Sequence, residues 1–382
     1  MFALSAFYFL FFAGLGLALA FVPIYLRARG LSLSRIALLS AIAAVAGGLA
    51  QVGLGYCSDR LGSRKRLAVA SCVLLGASYL FYTVPRTLGG FAPLFALTGV
   101  CYLSGFTLPQ AIIADWTSAG GTTARGFSVT RIWGTFGFIA SLLVVTIKPS
   151  VAAGDTFLYW TAALYGLSAL PLLAVREAPM TPTSWGLLRG AAQVLRSSRS
   201  YVFLICYTLS RLCDAGVLGY LGLYLKGLGS SAGTIATAYW INAVAEIPFV
   251  LLTGRLSQRY GLKPLLILAF AVWPVRLYLY SLITTAESVY YVQLLHGFTF
   301  GIVLVVSMAY MAKVSPGDLH GTGQGLLGVS NAIAMAVGPL LVGFIGDVSG
   351  LQSAFRVMAV MMIFTLIVLV VFVKEPSVAP GE

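Results

Sequence analysis

The chain has 382 residues, 59% of them hydrophobic and only 9% charged, with a mean hydropathy of +0.94. A soluble domain carries about 25% charged residues, so this composition excludes one and implies an integral membrane protein. The formal net charge of +13 sits mostly in short segments between apolar runs, which fits membrane orientation and argues against nucleic-acid binding.

Apolar runs of helical length recur without an alternating-strand pattern, so the expected fold is all-α rather than a barrel. In chain order, spans are expected at about Ser5–Leu26, Ile36–Cys57, Leu67–Val84, Leu88–Ala114, Ser128–Ile147 and Phe157–Val175. The first run exceeds the length of a leader's apolar core and reads as a span. A polar stretch follows, with four arginines between Arg176 and Arg199. Its Trp185–Leu195 portion fits a surface amphipathic helix. The plan then repeats at about Tyr201–Leu225, Thr234–Thr253, Pro264–Thr284, Val289–Ala312, Thr322–Ile345 and Ala354–Val373. The expected architecture is 12 transmembrane helices in two six-helix bundles, 1–175 and 200–374. A cytoplasmic linker, 176–199, joins them, and 375–382 form a cytoplasmic tail. Cys57, Cys72, Cys101, Cys206 and Cys213 show no metal-type spacing and read as small apolar helix residues.

One charged segment organises this pattern, Gly55-Tyr-Cys-Ser58-Asp59-Arg60-Leu-Gly62-Ser-Arg64-Lys65-Arg66. It reads as a tight turn: Gly55 allows close helix approach, Asp59 and Arg60 end the apolar run, and Gly62 permits the reversal. A weaker copy, Gly254-Arg-Leu-Ser257-Gln258-Arg259-Tyr-Gly261-Leu-Lys263, keeps the Ser, Arg, Gly and basic residue at equal offsets from its first Gly. One charged loop repeated in two halves is what an internally duplicated transporter presents. Fourteen Lys and Arg fall on the Asp59 side of the spans and seven on the other. This places that loop, the linker and both termini in the cytoplasm, in a cell inner membrane.

Two groups of six spans, the repeated loop and the central linker resemble the major facilitator superfamily, whose signature lies between its second and third helices. A narrower resemblance rests on Phe21-Val-Pro23-Ile-Tyr25-Leu, Arg131-Ile-Trp133-Gly134-Thr-Phe-Gly137-Phe, Ala245-Glu246-Ile and Leu295-His296-Gly297-Phe-Thr-Phe. It points to the branch of lactose permease, nucleoside:proton symporters and phenylpropionate permease-like proteins. The resemblance implies two bundles rocking about a central cavity, with uptake driven by protons.

Charges inside spans are expensive and are candidates for function. Arg131, expected in the first turn of the fifth span beside Trp133, is either an interfacial arginine or, as the resemblance implies, a solute-binding one. The acid that would partner it falls near Ile113, where the nearest polar residues are Gln110 and Asp115. Arg211 and Asp214 share a face of the seventh span and can pair locally, as a site or as a structural ion pair. Glu246 lies mid-span in the eighth among apolar neighbours, where desolvation disfavours its ionised form and lets it carry a proton. Asn242, four residues earlier, shares its face. Arg276 and His296 resemble members of the family's polar network, and imidazole titrates near neutral pH. The network's Glu three residues after His296 is replaced here by Thr299. A Lys three before it is replaced by Gln293, and another on the eleventh span by Asn331.

The expected solute-binding residues are therefore Arg131, Trp133, Gln110, Asn242, Glu246, Arg211 and Asn331. Proton coupling is expected of Glu246, His296, Arg276 and Asp214. A conformational role falls to Gly55, Asp59, Arg60, Gly62 and Arg64. Tyr8, Tyr25, Tyr102, Tyr207, Tyr239, Trp240 and Gln324 either complete the site or form interfacial belts. No nucleotide-binding loop and no nucleophile-base arrangement is present, so the reading is a transporter and not an enzyme, with no cofactor and no metal. Its partners are a small solute (a sugar, nucleoside or aromatic or organic acid), protons and the bilayer, and it works as a monomer. A proton-coupled exporter of drugs or metabolites is the alternative, and a membrane sensor or scaffold is the reading from another class.

Overall fold

Lipid offers no hydrogen-bond partner to a bare peptide group, so a chain this apolar crosses a bilayer only if its backbone pairs internally. The computed structural model describes residues 2–61, 63–118, 124–177, 187–316 and 319–376, with backbone alone at 52, 54–61, 114–118, 124–129 and 187–189. Among the described residues there is no strand, and the chain forms two compact units. One comprises Met1–Thr183 with Leu221–Trp240, the other Ser184–Tyr220 with Ile241–Glu382.

The first unit contains α1 (Phe2–Ala28), α2 (Leu33–Leu61), α3 (Arg64–Leu80), α4 (Leu88–Ser118), α5 (Ala124–Ile147) and α6 (Thr156–Leu173). Helix α1 packs on α5 and α6, α2 on α4, and α3 on α4 and α6. Phe7, Tyr8 and Phe11 of α1 are fully buried, so α1 lies in the interior of its unit. Helices α8 (Ser198–Gly227) and α9 (Ala232–Tyr260) supply residues to both units.

The second unit also holds α7 (Leu187–Arg196), α10 (Leu262–Leu282), α11 (Val289–Leu294), a π-helical turn at Gly297–Gly301, α12 (Ile302–Val314) and α13 (His320–Phe372). Helix α10 packs on α12 and α13, and α7 on α13. The short amphipathic helix expected near 185–195 is α7, with Val194 buried and Leu195 exposed.

Among the described residues, eleven helical stretches are long and apolar enough to cross a membrane. At 53 residues α13 is far longer than one crossing needs, since about 20 residues span the hydrocarbon core. It breaks at Gly350, whose φ of 84° lies in the left-handed region that glycine adopts without penalty. The expected eleventh and twelfth spans are its two arms, 320–349 and 351–372, and a single residue does the work of the expected loop. The fold is thus the expected all-α membrane architecture of 12 spans.

Three local expectations are corrected. The charged segment is not a turn along its length: Gly55, Asp59 and Arg60 lie in the last turns of α2, and Gly254–Tyr260 belong to α9. Charged residues continue a helix once it leaves the apolar layer, because backbone pairing does not require an apolar side chain. In the second copy the reversal falls at Gly261, with φ 86°; Gly62, and the side chains of Asp59 and Arg60, lie outside what is described. Helix α5 likewise begins at Ala124, so Arg131 stands two turns inside it rather than in its first turn. The tenth span is not one regular helix, because the π turn interrupts it.

Candidate functional site

The second unit buries a connected polar cluster. Asp214 of α8 receives Arg211 Nη1 at 3.0 Å on Oδ2 and Arg276 Nη1 of α10 at 3.2 Å on Oδ1. The side chains of Arg276 and Asp214 are 1% and 4% exposed, and that of Arg211 is 12% exposed. Three residues of spacing on α8 set Arg211 and Asp214 on one face, as expected. Arg211 Nε donates to Asn331 Oδ1 of α13 at 3.2 Å, and the guanidinium lies 4.6 Å from the ring centroid of Phe300.

Gln293 of α11 is the other hub. Its Oε1 accepts from Tyr280 OH at 2.6 Å, Asn242 Nδ2 at 3.0 Å and Arg276 Nη2 at 3.3 Å. These three donors fix the amide's orientation, since the flipped form would set Nε2 against them. Arg276 is completed by Tyr280 OH at 3.1 Å and Thr299 Oγ1 at 3.2 Å. Every polar nitrogen of Arg276 thus has a partner, which is the condition for burying a guanidinium.

The π turn carries His296 and Phe300 to this cluster. Their rings stack at 5.1 Å and 7°, and His296 is buried with Nδ1 unpartnered among the described residues. A Cβ on Gly297 would run into the Ala245 carbonyl of α9 and the Phe249 ring, so only glycine lets the turn press against α9. Glu246 of α9 packs there too, its Cγ facing Gly301. π turns concentrate at functional positions, and here one helps bring five helices together.

In the first unit, Arg131 of α5 meets aromatic rings of α1, its guanidinium carbon 4.0 Å from the Phe12 centroid and 6.0 Å from that of Tyr8. Phe12 packs on Phe106, and Phe106 stacks on Tyr102, both of α4. Tyr8 is fully buried and its hydroxyl has no partner among the described residues. Trp133 is 45% exposed and packs on Phe136, two residues on from Arg131 and so on the far side of the helix. Gln110 is half-buried on α4, and the side chain of Asp115 is not described.

The structure therefore joins Arg211, Asp214, Asn242, Arg276 and Asn331 in one hydrogen-bonded network. Asn242 donates to Gln293, and Gln324 donates instead to the Met308 carbonyl. Tyr280 went unread in the sequence, although its spacing of four from Arg276 is the signal that would have found it. Gln293 and Thr299 read as losses, yet both bind Arg276.

A second motif was also unread. Glu177, just beyond α6, accepts Lys65 N at 2.7 Å and Ser63 Oγ at 2.6 Å. Lys65 Nζ in turn donates to the Val175 carbonyl at 3.0 Å. Glu375, just beyond α13, accepts Leu262 N at 2.7 Å and Lys263 N at 2.6 Å, and Lys263 Nζ donates to the Val370 carbonyl at 2.9 Å. The signal is Val175-Arg-Glu177 repeated as Val373-Lys-Glu375. Arg64, expected to act in gating, is buried, and its Nη1 donates to the Ala111 carbonyl of α4 at 3.2 Å.

The sequence profile of the MFS_1 like family matches residues 1–357. The chain belongs to this family of the major facilitator superfamily. It is a membrane solute transporter and not an enzyme. It is 24% identical to the maltose permease of Geobacillus stearothermophilus over 98% of this chain and 95% of that one. It is 25% identical to the probable 3-phenylpropionic acid transporter of Escherichia coli (strain K12), over 98% and 97%. The crystal structure of nucleoside transporter NupG superimposes with a TM-score of 0.84 at 18% identity, over 98% of this chain and 99% of that one, a likeness of fold.

Proposed function

We propose that this transporter carries a small solute (a sugar, a nucleoside or an aromatic or organic acid) inward by alternating access, in symport with protons. The observation behind this is the buried Arg211–Asp214–Arg276 cluster: ionisable groups inside membrane spans are retained where they bind substrate or ions. In this reading Arg211, Asn242 and Asn331 contact solute in the second bundle. Arg131, Gln110 and Trp133 do so in the first. Glu246 and His296 hold the coupling proton, with Arg276 and Asp214 as its charged surroundings. The bundles are 1–175 and 200–374, joined by a cytoplasmic linker at 176–199 and followed by a cytoplasmic tail at 375–382. The chain lies in the cell inner membrane with both termini in the cytoplasm, works as a monomer, and uses Gly55, Asp59, Arg60, Gly62 and Arg64 to stabilise one access state.

Uptake into proteoliposomes of known orientation, with and without an inward proton gradient, tests this. The gradient should drive accumulation of one solute class in the parent, while Glu246→Gln should equilibrate it without accumulation. Outward movement against an inward proton gradient would establish the exporter instead.

A further inference from the structure

The accepting side-chain oxygens of Gln293, Asp214, Thr299 and Asn331 in the second unit's polar cluster are already engaged. Gln293 Oε1 already serves three donors, both oxygens of Asp214 are taken by arginines, Thr299 Oγ1 accepts from Arg276, and Asn331 Oδ1 accepts from Arg211. Donors are left over. Gln293 Nε2 is buried with no partner, and its residue is fully buried. Arg211 spends Nε on Asn331 and Nη1 on Asp214, which leaves Nη2 without a hydrogen bond among the described residues. A buried donor without an acceptor forfeits its hydration with nothing in return, so whatever completes this cluster brings an acceptor, and beside a guanidinium a carboxylate oxygen accepts more strongly than a neutral hydroxyl. Around Asp214 the directly paired charges are two guanidiniums against one carboxylate, an arrangement that a second carboxylate balances.

We propose that the cluster binds the carboxylate of a small organic anion, held at Arg211, the most accessible of its charged members, with Gln293 as the neighbouring donor. A carboxylate matches a guanidinium edge in geometry and charge, where a sugar or alcohol hydroxyl matches neither as well. Phe300, over whose ring Arg211 sits, closes one face of the guanidinium and leaves its edge for the ligand. This assignment rests on reading the cluster as the solute site.

The test is thermal unfolding of the purified full chain at fixed ionic strength, with 3-phenylpropionate and benzoate set against 3-phenylpropanol, 3-phenylpropanamide, maltose and uridine. A bound ligand raises the midpoint by mass action. The carboxylates should raise it saturably, and the alcohol and amide should not. Arg211→Gln should abolish the shift, and Gln293→Glu should weaken the carboxylate's affinity at least tenfold. Equal stabilisation by the alcohol or amide, survival of the shift in Arg211→Gln, or no shift with either carboxylate overturns the proposal. The matched acid and amide decide it on the parent protein even if a variant does not fold. Stabilisation and uptake of maltose or uridine would sink the anion assignment while leaving transport intact. A carboxylate that binds but is never accumulated would leave the assignment and sink the coupled-uptake reading.

Discussion

The carboxylate of Glu375 and the backbone N–H of Lys263 meet at 2.6 Å, fastening the end of α13 to the start of α10. Glu177 and Lys65 repeat the arrangement at 2.7 Å, each partner 198 positions earlier. In both, the acid caps a helix N-terminus, where free N–H groups and the helix dipole favour a negative charge. The lysine side chain then returns to carbonyls at the end of the helix that precedes the acid. Losing such a cap costs about 0.5–2 kcal/mol, so Glu177→Ala and Glu375→Ala should each lower the unfolding midpoint of the detergent-solubilised protein. Because each clasp lies inside its own unit, the double variant should lose the sum of the two within about 0.5 kcal/mol. A marked departure from additivity would show that the clasps do not act separately.

Asp214 carries a heavier burden. Removing one partner of a buried ion pair strands the other charge, at roughly 3–5 kcal/mol, and here two guanidiniums would be stranded. Asp214→Asn should therefore be among the most destabilising single changes in the second unit. Arg276→Gln added to it should recover part of the loss, because the pair then leaves with its charge. Unfolding curves of the single and double variants measure this. A double variant no more stable than Asp214→Asn would mean that Asp214 does not serve as the counter-ion of Arg276.

Much of this was legible because lipid is an unforgiving solvent. Twelve apolar runs, a charged repeat and five Asp, Glu or Arg residues inside spans (Arg131, Arg211, Asp214, Glu246 and Arg276) stand out against a 9% charged background. The local pair Arg211–Asp214 follows from helical spacing alone. What spacing does not reveal is the company kept across helices: Asn242 reads as a partner of Glu246, four residues on, but its amide reaches Gln293 on α11. The clasps escaped for a related reason. Their glutamates sit beyond the final spans, over a hundred residues from the turns they cap, and the two copies align at 198 rather than the 199 of the glycine motif. The extra residue is Ser63, which caps α3 through Arg66 N and also reaches Glu177. Gly350 carries no such signal in sequence, because a loop of several residues is the common way to join two spans.

Gly297 offers a test of the π turn. The Ala245 carbonyl and the Phe249 ring leave no space for a Cβ there, and the carbonyl belongs to a helix backbone that cannot rotate away. Gly297→Ala should force α9 and the turn apart, destabilising the protein by about 1–3 kcal/mol and displacing His296 and Thr299 from Arg276. Gly301→Ala faces a milder 3.0 Å contact with Phe249 Cβ and should cost less. Thermal stability and initial uptake rate should fall together in the first variant and only slightly in the second. Equal behaviour of the two would argue that close packing at Gly297 does not position the site.

Tyr8 separates binding from folding in the first unit. Its hydroxyl is buried and accepts or donates no hydrogen bond among the described residues, while its ring packs between Phe7 and Phe12 and lies within 6.0 Å of the Arg131 guanidinium. Tyr8→Phe keeps the ring and removes only the unpaired oxygen, which removes a desolvation penalty with no bond to offset it. The expected result is unchanged or slightly higher thermal stability. If Tyr8 also meets the solute, the same variant should raise the KM for uptake by roughly tenfold, the factor that follows from losing about 1.4 kcal/mol of hydrogen bonding to the ligand. Arg131→Lys is the companion variant. It retains the charge but loses the planar group that lies against Phe12, so uptake should drop sharply while the protein still folds. A Tyr8→Phe protein that unfolds earlier would mean that the hydroxyl has a structural partner, and normal kinetics in both variants would remove this aromatic cage from the solute path.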